Sequence, residues 1–114
     1  MVIALRIAVP TKNNKGLDGE VAEVFSRAPF FTLIDTLDSE PKDIDVIDNT
    51  ASLHSHGAGP IAVKLLHDNS VDLLFAPEIG IGTSTLLEEM KIRYKQVEKN
   101  SKVSKLLEDL ISLP

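Results

Sequence analysis

The chain has 114 residues, a mass of 12.4 kDa, a formal net charge of −5 and no cysteine. That length suits one domain, 1–114, which buries about two-thirds of its unfolded surface by area scaling. The absence of cysteine excludes disulfides, zinc fingers, thiolate-held clusters and Cys nucleophiles, and the acidic balance opposes nucleic-acid binding while leaving room for a small anion held by backbone N–H groups.

Aromatic residues make up only 4% of the chain, so the predicted core is aliphatic. The first element, Ile3 to Val9, is a short apolar run closed by Pro10 and reads as a buried strand. The stretch Met1 to Pro10 is short and interrupted by Arg6. Neither a signal peptide nor a membrane span is expected there, and the expected compartment is the cytoplasm. Residues 11–18 (TKNNKGLD) read as a loop. Glu20 to Phe25 is predicted to form a helical turn with Val21, Val24 and Phe25 on one side. Pro29 to Thr36 reads as a second strand, Asp38 to Pro41 as a turn and Ile44 to Ile47 as a third strand, so strands two and three form a hairpin.

Residues 48–59 (DNTASLHSHGAG) form a long polar loop that opens into a helix from about Ala58 to Asn69. Ala58, Ile61, Ala62, Leu65 and Leu66 give that helix an apolar stripe, and Pro60 lies in its first turn, where a missing N–H costs nothing. Val71 to Ala76 reads as a fourth strand and Pro77 to Gly82 as a loop. Thr83 to Met90 reads as a helix with a Thr85–Glu88 capping box. Ile92 to Gln96 is a short fifth strand. Asn100 or Ser101 is expected to cap a last helix whose inner face carries Val103, Leu106, Leu107, Leu110 and Ile111.

This order predicts an α/β fold of the ribonuclease-H-like kind: a mixed five-stranded sheet in the order 3-2-1-4-5, strand 2 antiparallel, with helices on its faces. The strand–helix–strand units require right-handed crossovers. Loops 11–18, 48–59 and 77–83 then share one carboxyl edge, where open α/β sheets bind ligands. Two helices also begin there, and their positive ends favour an anion.

Within loop 48–59, His54 and His56 flank a single residue, and an extended backbone would turn both to one side. Imidazole is a good transition-metal ligand. Gly57 and Gly59 let a bulky ligand approach the backbone, and Ala58 between them joins them as a candidate binding position. The competing reading is a solvated connection, and two histidines fall short of the four ligands of a closed zinc site. Gly80, Gly82 and Thr83 lie in a second glycine loop that has neither a dinucleotide fingerprint nor a P-loop lysine. A tight turn capped by Thr83, Ser84 or Thr85 explains it, and backbone anion binding is compatible with that turn. Arg27 is a candidate cation for an anionic ligand, or else half of a surface ion pair. His67, near a helix end, reads as structural or solvated, and Asp43, Asp45 and Asp48 as a solvated edge.

Taken in order, Arg6 to Pro10, Leu17-Asp18, Phe25 to Phe31 (FSRAPFF), His56 to Gly59 (HGAG) and Gly80-Ile81-Gly82 resemble the dinitrogenase iron–molybdenum cofactor-binding family over about residues 5 to 112. Ser26 replaces the family's usual glycine, Phe30 its usual tyrosine, and Gly80-Ile81-Gly82 its usual Gly-Pro. The resemblance implies a ribonuclease-H-like fold and an anionic metal–sulfur cargo: iron–molybdenum cofactor or a related iron–sulfur cluster. It also implies a histidine donor in some members, which falls here on His56 and which His54 is placed by spacing to join, and cofactor-biosynthesis proteins as partners. The expected function is a non-catalytic carrier, with neither nucleic acid nor membrane as a partner. The alternative is a regulatory or interaction module binding another small anion. A nuclease needs a carboxylate on the first strand, and Ile3 to Val9 has none. A Ser55 hydrolase lacks an orienting acid for its histidine.

Overall fold

A computed structural model describes the backbone of residues 3–111 and the side chains of residues 3–109. The strands are β1 (Ala4–Thr11), β2 (Phe30–Leu37), β3 (Glu40–Asp48), β4 (Leu73–Ala76) and β5 (Arg93–Gln96); the helices are α1 (Ala58–Asp68), α2 (Ile81–Glu89) and α3 (Val103–Ile111). Short 3-10 turns cover Gly16–Asp18, Phe25–Arg27 and Thr50–Leu53. The five strands form one mixed sheet in the order β3-β2-β1-β4-β5. β2 is antiparallel to both β1 and β3, while β1–β4 and β4–β5 are parallel.

Strand alternation divides the core into two layers. Ala8, Phe31, Leu33, Leu74 and Ala76 pack with Ala62, Val63 and Leu66 of α1 and Leu87 of α2. Ile7, Val9, Ile34 and Phe75 pack instead with Val103, Leu106 and Leu107 of α3. The aliphatic core expected from composition is therefore what forms, with Phe25, Phe31 and Phe75 as its buried aromatic members. Leu110 and Ile111, expected on the inner face of α3, have side chains outside the described residues.

β1 is not closed by Pro10 but pairs through Thr11, and β4 begins at Leu73 rather than Val71; four further departures are larger. β3 begins at Glu40 rather than Ile44. Asp38 and Ser39 both have positive φ, 51° and 70°, which makes the two-residue turn whose twist matches a hairpin. Pairing then resumes at once, and a register shift opposite Asp35 and Thr36 accommodates Pro41 on this edge strand. Residues 20–25 are not a helical turn: Glu20 and Val21 make isolated bridges to Lys102 and Thr11, the turn starts only at Phe25, and Val24 is exposed. α2 starts two residues early, at Ile81, and no side chain caps it. Thr85 Oγ1 donates back to the Ile81 carbonyl at 2.9 Å, so the capping box does not form. Finally, α3 starts at Val103, after Asn100 in the left-handed region at φ 68°.

Candidate functional site

The carboxyl ends of β1, β3 and β4 lie at one edge, as the topology requires, and α1 and α2 both begin there. The two helix starts are close: a Cβ added at Gly59 would lie 3.2 Å from Thr83 Oγ1. Gly57 enters α1 at φ 73°, ψ 19°, a left-handed conformation suited to glycine, and Gly80 enters α2 at φ −73°, ψ 163°. Among the described residues no side chain caps either first turn. The N–H groups of Ala58 and Gly59, and of Ile81, Gly82 and Thr83, therefore lack helical acceptors and point out of the edge. Their partial positive charge, with the dipole of each helix behind it, suits an anion.

The approach to α1 is held by buried polar bonds. Asn49 is 2% exposed. Its Nδ2 donates to the carbonyls of Ser26 (3.2 Å) and Ala28 (2.8 Å), and its Oδ1 accepts from Ala51 N–H at 3.1 Å. Its own carbonyl accepts from Ser52 Oγ at 2.8 Å. Arg27 lies across the next residues: its guanidinium donates to the carbonyls of Ser52 (3.3 Å), His54 (2.6 Å) and Ser55 (3.4 Å). Among the described residues Arg27 has no carboxylate partner; its exposed guanidinium is a brace under the histidine loop. The FSRAPFF segment now has a local reason. Phe25 and Phe31 pack with ring centroids 5.5 Å apart, Ala28 is buried and supplies a carbonyl to Asn49, and Arg27 supplies the brace.

His54, Ser55, His56 and Gly57 are all exposed above that brace. His54 is extended, at φ −86° and ψ 131°, but the chain bends at Ser55 and His56, so the straight segment that places both imidazoles on one side is absent. Among the described residues no three His, Asp or Glu side chains gather into a metal-binding group. Leu53 and Ile81 stand at the same edge, 85% and 86% exposed. Between the Phe25–Arg27 turn and the start of α2 lies a depression of about 100 Å³, lined by Val24, Phe25, Ser26, Glu78, Ile79, Gly80 and Thr83. It holds a few waters at most. A bulky ligand would rest on this edge rather than inside it, with Glu78 opposing its negative charge.

Of the residues expected from sequence, Gly57, Ala58, Gly59, Gly80, Gly82 and Thr83 fall at the paired helix starts, His54 and His56 on the loop beside them, and Arg27 beneath that loop. His67 is exposed near the end of α1, apart from this edge. Asn49 was missed. Its signal was local: an Asn before Thr-Ala-Ser is an Asx-type cap for a short turn. Tyr94 was missed as well. Its hydroxyl donates to the Pro77 carbonyl at 2.6 Å and fixes the approach to α2. Burial, chiefly, and then the nearby Glu78 carboxylate raise its pKa above the ordinary tyrosine value.

Comparison with known proteins agrees with this architecture. The chain is similar to the orange protein of Desulfovibrio gigas, solved in its apo form, with a TM-score of 0.82 and 27% identity, covering 93% of this chain and 86% of that one. It is also similar to a Thermotoga protein provisionally described as a NifB protein, with a TM-score of 0.70, 27% identity and coverage of 95% and 87%. An uncharacterised protein of Methanocaldococcus jannaschii is 25% identical over 88 residues, 77% of this chain and 70% of that protein. Residues 4–113 match the family model described as dinitrogenase iron-molybdenum cofactor, and the chain belongs to that family.

Proposed function

We propose, with membership of the dinitrogenase iron-molybdenum cofactor family as the premise, that this protein is a non-catalytic carrier. Its cargo is an anionic iron–sulfur or iron–molybdenum type cluster, held at the shared start of α1 and α2. The observation that carries the reading is the convergence of two uncapped helix N-termini beside an exposed pair of histidines on a braced loop. The donor set fits such a cargo. Imidazole nitrogens suit iron and molybdenum, and the N–H groups of Ala58, Gly59 and Ile81 to Thr83 offset negative charge. Without thiolates the grip is light and the site shallow, which suits a protein that passes its cargo on.

His56 and His54 are the proposed metal donors. Gly57, Gly59, Gly80 and Gly82 keep the backbone accessible. Arg27 acts through the loop it braces. The apo designation of the orange protein of Desulfovibrio gigas says that protein has a loaded form, and the NifB description of the Thermotoga protein accords with partners in cofactor biosynthesis. We assign the 3-2-1-4-5 sheet to the ribonuclease-H-like class and place the protein in the cytoplasm; among the described residues no helix is long and apolar enough to cross a membrane.

Strictly anaerobic native mass spectrometry and electron paramagnetic resonance with isolated iron–molybdenum cofactor test this reading. Stoichiometric uptake by the wild type, lost in the double variant His54→Ala/His56→Ala, is expected. Uptake indifferent to both histidines, or none at all, refutes the assignment and favours a regulatory module for a different anion.

A further inference from the structure

The basic residues of this acidic chain are concentrated in one segment. Lys91, Arg93, Lys95, Lys99, Lys102 and Lys105 are half of its 12 Lys and Arg, and Glu98 is the sole acid among residues 91–105. That segment contains β5, the last strand in the sheet order. Arg93 N–H donates to the Asp72 carbonyl and Val97 N–H to the Ala76 carbonyl, both at 2.9 Å. The alternation of a parallel ladder therefore turns the peptide groups of Tyr94 and Gln96 outward, away from β4. Arg93, Lys95 and Gln96 are exposed.

An open groove of about 780 Å³ runs beside this strand, between Ser84, Leu87 and Glu88 of α2 and residues Lys91 to Tyr94. On the other sheet face, a cleft of about 340 Å³ separates β5 from α3. Phe75, 2% exposed, lines that cleft, and Lys95 Nζ lies 5.8 Å from its ring centroid. A row of lysines can simply guard an edge against aggregation, but guarding does not require a groove on each side to receive the side chains of an added strand. The acids that line the two grooves, Glu88, Glu98 and Asp109, are outnumbered by Lys91, Arg93, Lys95 and Lys105.

We infer that the open edge of β5 is a docking site for an extended acidic segment of a partner protein, which joins the sheet as a sixth strand. Main-chain bonds to Tyr94 and Gln96 supply the register, and the alternate side chains of the segment enter the two grooves. Opposite charge steers the encounter. This inference is independent of what the helix starts carry, because β5 and its grooves share no residue with the histidine loop.

The test uses the full chain, nitrogen-15 labelled, and a capped eight-residue peptide of alternating Glu and Thr. Expected are amide shifts confined to β5 and its grooves and slowed hydrogen exchange at Tyr94 and Gln96. Binding should weaken with salt. It should disappear when the peptide is N-methylated at alternate residues, and weaken at least about tenfold in Arg93→Glu/Lys95→Glu. Both substitutions are at exposed positions, and unchanged amide shifts in the core will show that the variant is folded. The inference is overturned by an absence of shifts, by equal binding of a Lys–Thr peptide, by shifts centred on residues 54–59 and 80–83, or by unaltered affinity in the variant. Self-association of the labelled chain through β5 without peptide would also overturn it, by assigning the edge to a second copy.

Discussion

The two approaches to the candidate site reach the same edge by different means. The segment 49–57 runs into α1 from a buried Asn49 and over the Arg27 guanidinium, and these two residues together take part in seven hydrogen bonds within it or to the turn beneath it. Among the described residues, the segment 77–80 runs into α2 with one side-chain anchor, the Tyr94 hydroxyl on the Pro77 carbonyl. α1 needs a left-handed residue at its start and α2 does not. The histidines therefore stand on a hydrogen-bonded platform, whereas the second helix start contributes mainly its N–H groups.

The largest expected effect breaks the platform. Asn49→Ala leaves the Ser26 and Ala28 carbonyls and the Ala51 N–H without their side-chain partner in a buried place and should cost about 3 kcal/mol. Denaturant unfolding measures it. The next prediction contrasts the two entry glycines. Gly57→Ala meets no steric neighbour but must hold φ 73°, at about 1–2 kcal/mol. Gly80→Ala should be nearly neutral, and Gly82→Ala should stabilise by about 0.5–1 kcal/mol, since both have open space around them.

Tyr94→Phe should cost about 1 kcal/mol by removing the single anchor of the second approach. It also has a pH signature. The folded protein holds the phenolic proton more tightly than the unfolded chain does, chiefly because the ring is buried. That contribution to stability is fully present below the ordinary tyrosine pKa of about 10 and is lost as pH rises through the folded value. Denaturation midpoints taken from neutral to alkaline pH should sag in the wild type, and the variant should lack that part of the decline. A smaller loss of stability, about 0.5–1 kcal/mol, is expected for the exposed Arg27→Ala. Its clearest readout is faster hydrogen exchange at residues 52–56 with α1 unchanged. Arg27→Lys should not restore protection, because one ammonium group cannot span three carbonyls.

Much of this was legible because it was local. The stripe from Ala58 to Leu66 and the early Pro60 mark α1 within one residue, and the order of apolar runs predicts the sheet order. What escaped the sequence depends on partners distant in the chain. Arg27 braces carbonyls 25 to 28 positions away, and no local pattern distinguishes a brace from a ligand cation or an ion pair. The charged first half of β3, from Glu40 to Asp43, conceals a strand because an edge strand needs no apolar face there. Thr85 and Glu88 look like a cap until the unmarked Gly80 and Ile81 start the helix earlier. The brace can be inferred only once the fold brings residues 25–27 under residues 52–55.

The central claim is that the fixed histidine loop supplies nitrogen donors to a metal–sulfur cargo. X-ray absorption at the iron and molybdenum edges of the loaded protein tests it most directly, alongside His54→Ala/His56→Ala, whose stability should change by less than about 0.5 kcal/mol because both residues are exposed. Imidazole scattering around the metal is expected in the wild type, and its loss in the variant. A loaded wild type whose spectrum lacks imidazole, or matches that of the variant, would contradict it.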